Sequence, residues 1–174
     1  MMKPHDDTVL RLLAIDPTTR GFGFVVFEGP ERLIDWGILQ VKVDKHAGCL
    51  RRVEALLDRY EPAVVVVEDD RSPSCRRCAR VRALIEAIRE LASRRNLETR
   101  SVSLRSVRRT FSEVGVSTKH QIAGAISSRF PELAPRLPPP RRTWMSEDEG
   151  MSVFDAAAFA VAHFQLREGR EDRA

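Results

Sequence analysis

A chain of 174 residues, 43 % apolar and 31 % charged, is long enough to bury one core and has the balance of a globular protein in water. No apolar run approaches the ~20 residues of a membrane span, and Asp6, Asp7 and Arg11 break the apolar start that a secretory signal needs. The chain reads as one cytoplasmic domain over residues 1–174. Three cysteines suit a reducing compartment, and the lone Cys75-x-x-Cys78 spacing lacks the second ligand pair that zinc requires.

The elements follow in order. Val9 to Ile15 is an apolar run with β-branched ends, and Pro17 disfavours helix at Asp16, so Asp16 stands at a strand end. "GFGFVVFEG" and "RLIDWGILQVKV" read as two further strands, separated by the Gly29-Pro30 turn. Together the three predict an antiparallel meander. A helix follows from about Lys45 to Tyr60, stopped by Pro62. "AVVVVE" has the short continuous apolar run of a central strand covered on both faces. The spacing of Val81, Leu84, Ile85, Ile88, Leu91 and Ala92 makes one helical face, predicting a helix over about Ser74 to Arg95.

"LETRSVSL" is a fifth strand. A short helix carries Val107 and Phe111, and another spans about Ser117 to Phe130. The segment 131–146, "PELAPRLPPPRRTWMS", is proline-rich and reads as a loop. A last helix is expected over about Glu147 to Gln165, with Ser146 as N-cap and Glu149 as its capping-box partner. The fold class is α/β: a five-stranded mixed sheet, an antiparallel three-strand meander plus two parallel strands, with helices on both faces.

Charge is unevenly spread. Residues 71–142 hold seventeen basic and five acidic side chains, a balance of +12, while the rest of the chain stands at −8, which together give the net +4. The basic stretch is rich in arginine, whose fork matches phosphate. A basic middle with acidic flanks suggests a polyanion surface beside an acidic site.

Three acids define that site. Asp16 ends the first strand and Glu68 ends the fourth, and a crossover that sets those strands side by side brings both to one edge of the sheet. Asp155 is the sole charge between Gly150 and His163 on an otherwise apolar helix, an expensive residue to bury. Three converging carboxylates repel one another unless a hard divalent cation neutralises them. Mg²⁺, with Mn²⁺ as substitute, is the cofactor this donor set implies, and a two-ion site of that type hydrolyses phosphodiesters.

The motifs "LLAIDPTTRGFGFVVFEG", "VVVVE", "SVRRTFSEVGVSTKHQIAGAI" and "FDAAAFAVAHF", in this order, resemble the RuvC family of Holliday-junction resolvases within the RNase H-like superfamily. The resemblance covers nearly the whole chain. It implies an RNase H-like domain, Asp16, Glu68 and Asp155 as catalytic metal ligands, and basic residues near DNA at Arg108 and Lys119. Arg76, Arg77 and Arg80 join them as expected nucleic-acid contacts. It further implies a homodimer cutting branched DNA to leave 5′-phosphates, in recombination and repair.

The chain also departs from the family pattern. Thr18 replaces the glycine after the first Asp-Pro. Ser152 stands where a second acid or histidine precedes the last aspartate by one turn. Glu147, Asp148 and Glu149 are the candidates for a fourth ligand, and Asp148, seven residues before Asp155 and so on the same helical face, is the preferred one. The stretch "DDRSPSCRRC" after Glu68 has no aromatic residue. Two other readings stay open: an RNase H-like nuclease acting on RNA, resembling the YqgF group, and a nucleic-acid-binding module with impaired catalysis.

Overall fold

The computed structural model describes residues 10–171. Val9, at the expected start of the first strand, lies outside the described residues, as does the rest of 1–9. Three strands open the chain, β1 (Arg11–Pro17), β2 (Gly21–Glu28) and β3 (Leu33–Gln40), each antiparallel to the one before. Helix α1 (Lys45–Tyr60) leads to β4 (Val64–Glu68), and α2 (Ala79–Arg94) leads to β5 (Glu98–Val102). Parallel neighbours need such long crossovers. β4 lies parallel to β1 and β5 parallel to β4, giving the order β3-β2-β1-β4-β5. This is the expected mixed sheet. Helices α3 (Leu104–Ser112) and α4 (Lys119–Arg129), a 3₁₀ turn (Pro131–Arg136) and α5 (Met151–Glu171) complete the described chain.

Period-2 alternation divides the apolar residues between two layers. Leu13, Ile15, Val65 and Val67 point to α1 and α2, while Leu12, Ala14, Val64 and Val66 point to α3, α4 and α5. The α2 residues buried there are Val81, Leu84, Ile85, Ile88, Leu91 and Ala92, the face expected from their spacing. Helix α5 is apolar nearly all round and accordingly buried from Met151 to Ala162, with Asp155 the one half-buried position. Its small Ala156, Ala157 and Ala160 are fully covered, which lets the helix lie close on the sheet.

Two helices start later than their sequence suggests. Residues 71–74 form a turn and 75–78 are irregular ahead of α2. The Ser72 and Ser74 hydroxyls lie 2.8 Å apart and Ser72 Oγ accepts from the Ser74 amide at 3.3 Å, local bonds that compete with helix. Helix α5 starts at Met151 because Asp148 Oδ1 takes the Gly150 amide at 2.7 Å and the Glu149 side chain is drawn away to Arg20 and Gln40. The expected Ser146–Glu149 capping box therefore does not form. The proline-rich segment is irregular apart from its 3₁₀ turn, which anchors it through the fully buried Leu133. Among the described residues no helix is long and apolar enough to cross a membrane.

Candidate active site

The β1–β4 register pairs Leu12 with Val64 and Ala14 with Val66. Two residues further along, both strands reach their acids, Asp16 and Glu68. The same alternation that sends Ala14 and Val66 toward α5 sends both carboxyl side chains there. Asp16 is 1 % exposed and Glu68 is 0 % exposed. Burial pushes the Asp16 carboxyl well above the usual carboxylate range. Arg77 pulls against that rise, and Asp155 and Glu68 add to it. Asp16, Glu68 and Asp155 thus share one electrostatic neighbourhood, although they come from three separate elements.

Arg77 stands between the two strand acids. Its Nε donates to Glu68 Oε2 at 2.5 Å, its Nη2 donates to Asp16 Oδ1, and its Nη1 reaches the Pro17 carbonyl at 3.4 Å. The arginine expected on a nucleic-acid surface is turned inward, with 21 % of its side chain exposed. Burial lowers its proton affinity, but the two carboxylates outweigh this and raise it, so the guanidinium stays charged. Glu68 Oε1 is buried with no hydrogen-bond partner.

Asp155 enters from α5 and pairs with a second cation. Lys119 Nζ lies 2.7 Å from Asp155 Oδ2 and also pairs with Glu147. Burial raises the Asp155 carboxyl, with Lys119 opposing and Glu147 adding to the rise. For Lys119, burial lowers the ammonium, yet Asp155 and Glu147 raise it on balance.

The acids at the α5 start have three different partners. Glu147 is joined to Asp155 through Lys119, Asp148 closes the turn at Gly150, and Glu149 holds Arg20 and Gln40. Asp148, the acid expected by helical face, precedes α5 rather than sitting on it, so the seven-residue spacing does not translate into a shared face. Ser152 is buried and donates to the Glu149 carbonyl at 2.9 Å. One cleft of about 440 Å³ has Asp16, Arg20, Arg77, Glu147, Ser152 and Asp155 in its wall.

Arg76 also lines the cleft and is exposed. Arg80 and Arg108 are exposed but lie outside its lining. Sequence reasoning overlooked Arg20, whose place in the short turn after Asp16 was a usable signal; Glu147, one of the three acids it offered as a fourth ligand, meets the lysine shared with Asp155 only through the fold of the whole proline-rich segment. Cys75 is buried and Cys78 exposed, both as free thiols.

The residue types suit a hard cation: Asp16 lies within electrostatic reach of Asp155 and Glu68, and one buried oxygen, Glu68 Oε1, has no donor of its own. As the side chains stand, no three of His, Cys, Asp and Glu among the described residues are grouped closely enough to hold a metal ion. Arg77 and Lys119 occupy the space between the acids. The carboxylates therefore fit a divalent ion in their chemistry, with two side-chain cations in its place.

No family model matches the chain, and no curated protein matches it by sequence. Solved structures do. A RuvC structure from Thermus thermophilus aligns with a TM-score of 0.67 at 21 % identity, covering 92 % of this chain and 97 % of that one. The fold is that of a RuvC-type resolvase. A T. thermophilus RuvC in complex with Holliday junction substrate aligns at 0.65 and 18 % identity, covering 92 % and 96 %. The yeast mitochondrial Holliday junction resolvase Ydc2 aligns at 0.58 and 16 % identity, covering 94 % and 82 %.

Proposed function

We propose that this chain is a divalent-metal-dependent endonuclease that cleaves branched DNA, four-way junctions above all, and acts as a homodimer in recombination and repair. The observation that carries the reading is the convergence of Asp16, Glu68 and Asp155 on the α5 side of the sheet, in a fold shared over most of its length with junction resolvases. Asp16, Glu68 and Asp155 would hold Mg²⁺ or Mn²⁺, with Asp148 or Glu147 as a supporting acid. When bound, the ion supplies an activated water and neutralises charge at the scissile phosphate.

The protein's own groups do the rest. Burial beneath α5 excludes bulk water from Asp16 and Glu68. Lys119 keeps Asp155 from pairing elsewhere and presents a half-exposed ammonium between Asp155 and Glu147. Arg76 in the cleft wall, with Arg80 and Arg108 beyond it, offers guanidinium groups to the phosphate backbone, where most affinity for DNA arises. The Arg77 bridge favours a second reading, a junction-binding module without catalysis, because the acids are already neutralised internally.

The test is cleavage of a four-way junction, a linear duplex and a structured RNA in Mg²⁺ and in Mn²⁺. Symmetric nicks with 5′-phosphates in the junction support the nuclease. Cleavage of RNA alone would transfer the reading to an RNA substrate, and tight junction binding without any cleavage would favour the binding module. Asp16→Asn and Glu68→Gln should keep junction binding and lose more rate than the roughly 10–100-fold typical of residues that merely support a metal ligand.

A further inference from the structure

We propose that Arg77 is a resident cation that holds the Asp16–Glu68 pair in the free protein and must leave it before a divalent ion can enter, passing to the substrate phosphate as it does so. This inference rests on the nuclease reading of the same acids.

The geometry supports exchange over permanent pairing. Arg77 contacts one oxygen of each carboxylate and a backbone carbonyl, so it fills the position between the two strand ends. Yet it leaves Glu68 Oε1 buried and without a partner. A structural ion pair built only for stability would be expected to satisfy both oxygens, since an orphaned buried acceptor is costly. A cation with a higher coordination number than one guanidinium edge would use that oxygen.

The segment that carries Arg77 lies outside the regular elements, so its side chain can exchange partners without breaking a strand or a helix. Residues 74–78 belong to neither β4 nor α2. They are held by Cys75 N–H to the Ser72 carbonyl at 3.0 Å, by Arg77 N–H to Cys75 Sγ at 3.5 Å, and by the Arg82 guanidinium, which donates to the Arg77 carbonyl at 3.1 Å and to the Cys75 carbonyl at 3.5 Å. The cleft beyond the acids is open and also lined by Arg76 and Arg20. An arginine stays charged at any working pH, so a displaced Arg77 needs another anion. A phosphodiester entering the cleft is the anion that arrives together with the ion, and its geometry suits the guanidinium fork.

The exchange makes ion binding and phosphate binding cooperative. With Arg77 in place, ions compete with a tethered charge. With a phosphate present, Arg77 has a second site and the ion position opens. Linkage requires each ligand to raise the affinity for the other by the same factor.

The experiment is calorimetric titration of Mn²⁺ into the full-length, DNA-free protein, for wild type, Arg77→Gln and Arg77→Lys. The expected result is at least tenfold tighter Mn²⁺ binding in Arg77→Gln, with Arg77→Lys between, because one ammonium cannot bridge both acids as the fork does. Asp16→Asn in the Arg77→Gln background should abolish the gain. Equal or weaker binding in Arg77→Gln overturns the proposal. If wild type cleaves junctions in that case, only the role of Arg77 falls; if it neither binds Mn²⁺ nor cleaves, the metal-site reading falls with it. Should the variants fail to fold, wild type alone decides. Mn²⁺ and the dinucleotide of two thymidines, added together, should raise its melting temperature by more than their separate effects combined, and an additive rise overturns the exchange.

Discussion

Lys119 Nζ sits 2.7 Å from Asp155 Oδ2, at the first position of α4. A cation there opposes the helix macrodipole, which favours negative charge at an N-terminus. The helix itself is secured by other means, a full capping box between Thr118 and Gln121. Lys119 is therefore explained by its tertiary partners, Asp155 and Glu147, which keep it charged. If it also meets phosphate, Lys119→Ala should lower the slope of log affinity for a four-way junction against log salt by about 0.9, one phosphate contact. Lys119→Arg should preserve the slope. An unchanged slope in the alanine variant would confine Lys119 to its contacts with Asp155 and Glu147.

The three acids ahead of α5 should separate by role. Glu147 shares Lys119 with Asp155, so Glu147→Gln should reduce cleavage by roughly 10–100-fold, as for a residue that positions a metal ligand. Asp148→Asn should mainly weaken the turn at Gly150, at a cost of about 1 kcal/mol or less, since asparagine also accepts the amide. Glu149→Gln loses a largely exposed pair with Arg20, worth about 0.2–1 kcal/mol. Cleavage rates together with urea melts distinguish these outcomes. A rate loss in Asp148→Asn as large as in Glu147→Gln would return Asp148 to the ligand set.

Gly23 connects the sheet to the site. It pairs with Asp16 across β1 and β2, and a methyl group on it would lie 2.5 Å from the Ser152 carbonyl oxygen and 2.6 Å from the Ser152 hydroxyl. Backbone cannot yield as a flexible side chain does, so Gly23→Ala should push the first turn of α5 off the sheet. The expected cost is about 1–3 kcal/mol from overpacking, read by denaturant unfolding. Because Asp155 follows on that turn, cleavage should fall as well, even where the variant is fully folded. Full activity in a folded Gly23→Ala protein would show that α5 can shift without disturbing the acids.

His163 predicts how stability responds to acid. Burial lowers its proton affinity, and Arg167 and Arg100 lower it further while Glu98 opposes them. Its Nε2 is buried with no partner. The folded-state pKa thus lies below the unfolded value near 6.5. The stability that neutral His163 contributes is complete above about pH 6.5 and is lost as pH falls from there toward the folded pKa, because the unfolded chain takes up the proton first. His163→Leu should remove that component from the unfolding free energy measured between pH 7 and 5. A variant with the same pH profile as wild type would place the acid sensitivity elsewhere.

Much of this molecule is legible from residue order alone. The apolar runs locate strands β1 to β4, and α1 runs from Lys45 to Tyr60 as expected. The strand ends at Asp16 and Glu68 follow from Pro17 and from the end of the valine run. These features depend on local period and on burial of one face, which neighbouring residues encode directly. What fills the space between the acids was decided only by the tertiary structure. Arg77 comes from an irregular stretch with no period to orient it, and among many arginines nothing local marks it as the one turned inward. The start of α5 was decided the same way. A capping box is worth about 1 kcal/mol, and Glu149 instead meets Arg20 and Gln40, residues more than a hundred positions away in the chain. Buried or clustered charge must find a partner wherever the fold supplies one, and that demand outweighs local preference at the candidate site.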